Sequence, residues 1–316
     1  MTLPPTTIAR CPLCRHGELS DRYSVRADDI RTLFRRSGID AADLASVGVL
    51  TLRGCRGCDL RFFDPCIVGD DAFYSQLHDI EWYYPAAKPE FAVAASAIGD
   101  ATSVLEVGCG RGSFAEHLHA RTRYVGLELS TRAVESANAA GRDVRNQLVG
   151  EHAEQHPEAY AAVVSFQVLE HVADPRAFLL DCMRCLAPGG LLVLSVPSED
   201  GFMGQIRNNC FNLPPHHVTR WTDACLRNIA SLIDAELVSL THDELGADHH
   251  GVVAAHLLQN ALGLGRAGSR RVRVSRGYFF LERLLRPAVR RLAESLPREG
   301  LVPHGHSVTV VIRKQS

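Results

Sequence analysis

The chain is short of net charge, of long apolar runs and of repetition, and each shortage excludes something. The formal net charge is −2 over 316 residues, so no overall field draws it to nucleic acid or to an anionic membrane. No apolar run approaches the roughly 20 residues of a membrane span. Residues 1–10 are polar and carry prolines, unlike a signal peptide. A cytoplasmic location is therefore expected. Without an internal repeat or a low-complexity tract, solenoid and fibrous architectures drop out. What is present is a 46% hydrophobic chain, long enough to bury one large core and a small extra module. Ten cysteines without a secretion signal fit a reducing compartment, where spaced pairs hold metal more often than they form disulfides.

Two such pairs stand near the start. Cys11-Pro12-Leu13-Cys14 and Cys55-Arg56-Gly57-Cys58 are C-x2-C knuckles separated by a 40-residue insert. Each knuckle offers two thiolates from one tight turn, and together they complete a tetrahedral S4 cage for Zn2+. Asp59-Leu60-Arg61-Phe62-Phe63 alternates like a short strand, as in a zinc ribbon. Four cysteine ligands close the site, so its role is expected to be structural. Cys66 has no partner pair and is expected to pack. Cys182 and Cys185 share the spacing but fall inside a helical pattern without a second pair, which reads as core.

The most telling segment is Val104-Leu105-Glu106-Val107-Gly108-Cys109-Gly110-Arg111-Gly112. An apolar strand runs into a glycine turn, and residues 113–120 read as a helix. Glycine permits close backbone approach to a ligand, and a helix start offers unpaired N–H groups. A second strand, residues 123–127, ends at Glu128, placed for two ribose hydroxyls. Then follow a helix over 130–140 capped by Ser130, the segment Val149-Gly150-Glu151-His152, a strand over 161–166, and Gln167-Val168-Leu169-Glu170-His171-Val172-Ala173-Asp174-Pro175. Helix 176–186, Pro188-Gly189-Gly190 and strand 191–196 complete the series.

In this order the motifs resemble class I S-adenosylmethionine (SAM)-dependent methyltransferases, over residues 94–240. The resemblance implies an α/β Rossmann-like sheet of seven strands and SAM as cofactor. Glu106, Gly108, Gly110, Gly112, Glu128, Leu129, Glu151, His152 and Gln167 would then line its site, with Glu151 at the adenine amino group. A zinc-ribbon-like module before such a domain is similar to bacterial small-molecule methyltransferases, including ones acting on sugars. In the aromatic stretch between the modules, Tyr83 or Tyr84 over the sulfonium would favour its charge through the ring quadrupole.

The acceptor side is read from Asn212-Leu213-Pro214-Pro215-His216-His217-Val218-Thr219-Arg220, similar to a loop common in these enzymes. Methyl transfer from a sulfonium is an in-line displacement that needs positioning, and an oxygen or carbon nucleophile also needs a base. His217 or His216 is the candidate base, with His171 beside them. Strand 236–241 and a last strand, 307–313, bracket an insertion. In that insertion Leu281, Leu284, Leu285, Val289 and Leu292 fall at helical spacing with arginines interleaved. The first of those strands is expected to run parallel to its neighbours. The insertion would then cover the active site or make a homodimer contact.

The expected organisation is a zinc-ribbon-like module (1–72), an aromatic linker and cofactor cap (73–93), a SAM-binding core (94–241), a helical insertion (242–304) and the last core strand (305–316). The leading function is methyl transfer to an oxygen or carbon of a small molecule: a sugar, a nucleotide sugar or a secondary metabolite. An RNA methyltransferase using the ribbon for binding is the alternative, disfavoured by the mixed charge of residues 21–43. A non-catalytic scaffold is the third reading, disfavoured by the intact Glu106, glycines and Glu128.

Overall fold

The computed structural model describes residues 8–77, 80, 83, 88–263, 272–297 and 304–316. In chain order, β1 (Leu19–Arg26), α1 (Ala27–Arg36), β2 (Val49–Cys55) and β3 (Arg61–Asp64) build the N-terminal module, and α2 (Asp71–Leu77) leaves it. The larger unit follows with α3 (Pro89–Ile98), β4 (Ser103–Val107), β5 (Arg123–Leu127), α4 (Thr131–Ala139), β6 (Val144–Arg145), α5 (Val149–Gln155) and β7 (Tyr160–Phe166). It continues through α6 (Pro175–Cys185), β8 (Leu186–Pro197), β9 (Thr219–Arg220), α7 (Asp223–Leu232), β10 (Ala235–His242), α8 (His250–Ala261), α9 (Arg276–Ser295) and β11 (Ser307–Lys314).

The main sheet has seven strands in the order β10-β11-β8-β7-β4-β5-β6. Strands β4, β5, β6, β7 and β8 are parallel, and β11 is antiparallel to both β8 and β10. Parallel strands covered on both faces read as continuous apolar runs. Ala162, Val163 and Val164 of β7 accordingly have no exposed surface. The helices start where local chemistry allows. Ser130 caps α4 by accepting from the Ala133 amide, and Asp174 caps α6 by accepting from Ala177, with Pro175 just inside. Such caps are worth about 1 kcal/mol each.

Two sequence expectations change here. The segment after the glycine turn is a short 3-10 turn over Ser113–His117, not a helix through residue 120. Strand β10 does not lie between parallel neighbours, because its one partner, β11, runs against it. Its carboxyl end still points the same way as those of β8, β7 and β4, so the insertion that follows begins on that edge.

The N-terminal module is more than a ribbon. Its four-stranded antiparallel sheet, β1-β2-β3-β9, takes its last strand from the loop after Pro215. Strand β3 also departs from the expected in-out alternation. Phe62 and Phe63 are both buried, Phe62 in the core shared with α7 and the main sheet, Phe63 in the module's own core. Neighbouring strand residues point to opposite faces, so this sheet is apolar on both sides because it is covered on both sides. Full burial of each ring is worth roughly 1.5–3 kcal/mol.

Helices α8 and α9 pack against each other. Val272 joins the N-terminal module's core, and the Arg36 guanidinium lies 3.7 Å from the centre of the Phe279 ring. Among the described residues, no helix is long and apolar enough to cross a membrane.

Candidate active site and cysteine cluster

A cleft of about 2000 Å³ opens at the carboxyl ends of β4, β5 and β7, where open α/β sheets bind ligands. One side is the glycine turn. Gly108 sits at φ +73°, and a Cβ there would come within 2.2 Å of Val168 Cγ2. Its amide and that of Cys109 both donate to the Leu127 carbonyl, which folds the turn over the end of β5. Gly112, at φ +71°, faces Arg142 and the Tyr124 hydroxyl rather than the cleft. It shapes the turn without lining the space.

Acidic groups stand on both sides of the turn. Glu128 accepts from the Gly110 amide at 2.9 Å and from the Ser130 amide at 2.8 Å, one per oxygen. A carboxylate has about four lone-pair sites, so two remain for donors arriving from the cleft. Glu106 accepts from the Tyr124 hydroxyl at 2.5 Å. Burial pushes its carboxyl up to about 7, against the pull of that hydroxyl and of Lys88. Leu129 and Leu148 are 61% and 53% exposed, and both line the cleft. Apolar side chains left open beside Glu128 would suit a flat ring between them. Glu151 lines the same end, and its carboxylate accepts from the Leu148 amide at 3.3 Å. This cradle fits the adenosine and methionine parts of SAM.

Besides Gly112, three expected cofactor residues lie differently. His152 is fully buried, turned toward Tyr160 (2.8 Å) and Gln147 (3.0 Å), and does not line the cleft. Burial lowers its imidazole to about 4, which marks a neutral core histidine. Gln167 does line the cleft, in a left-handed backbone at φ 59°. Its amide nitrogen is spent on Glu90 (3.1 Å) and Ser307 (3.0 Å), so it straps α3 to β11. Tyr83 lines the cleft on the histidine side, its hydroxyl 2.8 Å from His216 Nε2. Tyr84 lies outside the described residues.

The opposite wall gathers the three candidate histidines, with ring centroids 4.5–5.0 Å apart. Each Nδ1 faces a carbonyl oxygen: His171 to the His216 backbone at 2.6 Å, His216 to Phe211 at 2.7 Å, His217 to the Asn212 side chain at 3.1 Å. A carbonyl only accepts, so each Nδ1 carries the proton and each Nε2 presents a lone pair. Burial lowers all three imidazoles, His171 to about 4. Glu170 completes the wall with 1% exposure, its carboxyl raised by burial to about 8. Reading the sequence for bases found the histidines and passed over Glu170, although it adjoins His171. Tyr74, whose hydroxyl is 3.3 Å from His171 Nδ1, was passed over too. Only the fold brings α2 against that wall.

The cysteines converge as their spacing anticipated. Cys11 and Cys58 sulfurs are 3.6 Å apart, and Cys14 and Cys55 sulfurs 3.4 Å apart. All four lie within 4.8 Å of one another. A tetrahedron with Zn–S bonds of 2.3 Å has edges of about 3.8 Å, so the set fits zinc. Cys182 and Cys185 are buried in α6, away from it. The cluster packs on α7, where the Asn228 side chain donates to the Cys58 carbonyl at 3.4 Å. Strand β3 leaves it, and β9 pairs with β3 two residues after His217.

A family model described as a methyltransferase domain matches residues 77–240, just over half the chain. The chain belongs to this methyltransferase domain family. Among its relatives, the ubiquinone biosynthesis O-methyltransferase of Sodalis glossinidius is 38% identical over 100 residues, 29% of this chain and 40% of that protein. The enzyme of the same name from Thiobacillus denitrificans is 30% identical over 166 residues, 50% of this chain and 64% of its own length. The chain thus spans less than two thirds of the curated relatives it matches. A solved SAM-dependent methyltransferase from Archaeoglobus fulgidus aligns with a TM-score of 0.49 at 16% identity, covering 76% of this chain and 100% of that one.

Proposed function

We propose that this protein is a SAM-dependent methyltransferase acting on an oxygen of a small molecule. One observation carries the reading: a single cleft has a glycine cradle with a ribose-type acid on one side and three lone-pair-bearing imidazoles on the other. In-line transfer needs the acceptor held between sulfonium and wall. Imidazole lone pairs on that wall take a hydrogen bond from an acceptor hydroxyl and favour loss of its proton as the methyl arrives. Oxygen is preferred to carbon because the named relatives are O-methyltransferases. The sugar or nucleotide-sugar acceptor expected from the sequence has no support among those relatives. The cysteine cluster is assigned Zn2+ in a structural role.

The glycine turn, Glu106, Glu128, Leu129 and Glu151 are assigned to SAM, and His171, His216 and His217 to the acceptor. The helical insertion contributes Gly246, His249 and Val252 to the cleft lining, which supports a covering role. The test is transfer of labelled methyl from SAM across phenols, quinols, sugars and nucleotide sugars. His217→Ala and His171→Ala should keep SAM affinity and lose about 10²–10⁴-fold in turnover. Failure to bind SAM, or near-normal turnover in both variants on the true acceptor, would overturn the reading.

A further inference from the structure

The histidine wall has an electrostatic feature that methyl transfer alone does not explain. Glu170 Oε1 lies 3.9 Å from His171 Nε2 and 3.8 Å from His217 Nε2. Both separations are too long for hydrogen bonds. Neither carboxylate oxygen of Glu170 has any hydrogen-bond partner, though the residue is 1% exposed. The facing nitrogens carry no protons, because each Nδ1–H is already committed to a carbonyl. A carboxyl group and two imidazole lone pairs thus share a buried space without a hydrogen bond between them. A buried carboxyl whose oxygens find no hydrogen-bond partner is costly, and among the described residues none is supplied.

We infer that Glu170, His171, His216 and His217 form a binding site for a divalent first-row transition metal, separate from the cysteine cluster. One ring nitrogen of each histidine lies within 4.8 Å of those of the other two; Glu170 falls outside that group and reaches only His171 and His217. The 3.8–3.9 Å gaps from Oε1 to the two Nε2 atoms each span two metal–ligand bonds of about 2.0–2.2 Å. Imidazoles with a carboxylate suit Zn2+, Co2+, Ni2+ or Fe2+ rather than Mg2+ or Ca2+, which prefer all-oxygen sets.

The outer contacts are those of metal-binding histidines. Each Nδ1–H is held by a carbonyl, which fixes ring orientation and tautomer. The Asn212 amide is itself anchored, its nitrogen donating to the Met203 carbonyl at 3.3 Å. His216 Nε2 now takes the Tyr83 hydroxyl, and joins the ion by exchanging that partner. All four ligands line the cleft, so an open coordination position would face an oxygen of the acceptor. The proposed reaction supplies that role for the ion, but metal binding stands without it.

The probe is Co2+, added to purified protein whose cysteine cluster is already filled with zinc. One equivalent should bind with visible d–d bands of nitrogen and oxygen ligation and without thiolate charge-transfer bands. Glu170→Ala and His217→Ala should each weaken that binding at least tenfold while SAM affinity and circular dichroism stay as in the parent. If either variant does not fold, Tyr83→Phe serves instead, and it should tighten Co2+ binding by freeing His216. Three results would overturn the site: no Co2+ uptake, only thiolate-type bands, or equal binding in parent and variants. Because acceptor and turnover are not involved, failure here leaves the methyltransferase reading untouched, and failure of methyl transfer leaves this measurement intact.

Discussion

The Phe63 amide donates to the Val218 carbonyl at 2.9 Å, joining the strand that leaves the cysteine cluster to the residue that follows His217. The bond continues as the β3–β9 pairing, and Val218 in turn donates to the Glu170 carbonyl at 2.9 Å. The cysteine-cluster module is thereby joined directly to the histidine side of the cleft. Arg61 and Arg220 strengthen the junction, both meeting the buried Glu199 at 2.7 and 3.6 Å.

If the cysteines hold zinc as proposed, its loss should be felt at the histidines through that linkage. Cys14 is the one half-buried ligand of the four, so Cys14→Ser is the mildest probe. Purified parent protein should contain zinc bound by the four cysteines, and the variant should lose most of it. Structural zinc contributes on the order of 10 kcal/mol in small zinc modules, so the variant's melting temperature should fall by several degrees or more. Turnover should drop further than SAM affinity, since the glycine cradle sits on a different edge. Equal loss of both, with folding preserved, would contradict this coupling.

The cofactor side can be tested at Glu128 and Gly108. Glu128→Ala leaves ribose hydroxyls unmatched and releases the Gly110 and Ser130 amides. Charge-assisted hydrogen bonds are worth about 1.5–3 kcal/mol, which corresponds to roughly a ten- to hundred-fold weaker Kd for SAM. Gly108→Val adds a clash with Val168 at 2.2 Å to a left-handed backbone, and should abolish detectable binding. Calorimetry finding both variants equal to the parent would remove SAM from this cleft.

SAM affinity should depend on pH through Glu106. Its carboxyl is raised from 4.5 to about 7 by burial, and Tyr124, Lys88, Glu128 and Arg142 are the groups that face it. Below that value the acid is protonated and cannot match a cationic ligand, so Kd should improve as pH rises through about 7 and then level. The sign for folding is opposite. A carboxyl whose folded value is raised binds an extra proton when folded, so its contribution to stability declines from about pH 4.5 to about pH 7. Glu106→Gln should flatten both profiles. A parent Kd that does not vary between about pH 6 and 8 would show that this carboxyl does not serve the ligand.

Much was legible from local chemistry. The glycine turn and Glu128 lie within one strand–turn–strand unit, so spacing alone placed them. The cysteine knuckles were equally readable, because two thiolates from one turn define half a cage wherever the other half lies. The helix start at Ser130 followed from its capping residue. These features depend on neighbours a few positions away, and the sequence states such neighbours directly.

Tertiary structure decided what depends on distant segments. His152 looked like a cofactor residue until β7 placed Tyr160 against it, turning the imidazole into the core. Phe62 and Phe63 broke their alternation because α1 covers one face of β3 and α7 the other. Glu170 was visible beside His171, yet its missing partner shows only when residues 216 and 217 arrive across the cleft. No local pattern records an unmatched lone pair. Burial and the approach of separate segments create it, and both belong to the folded chain alone.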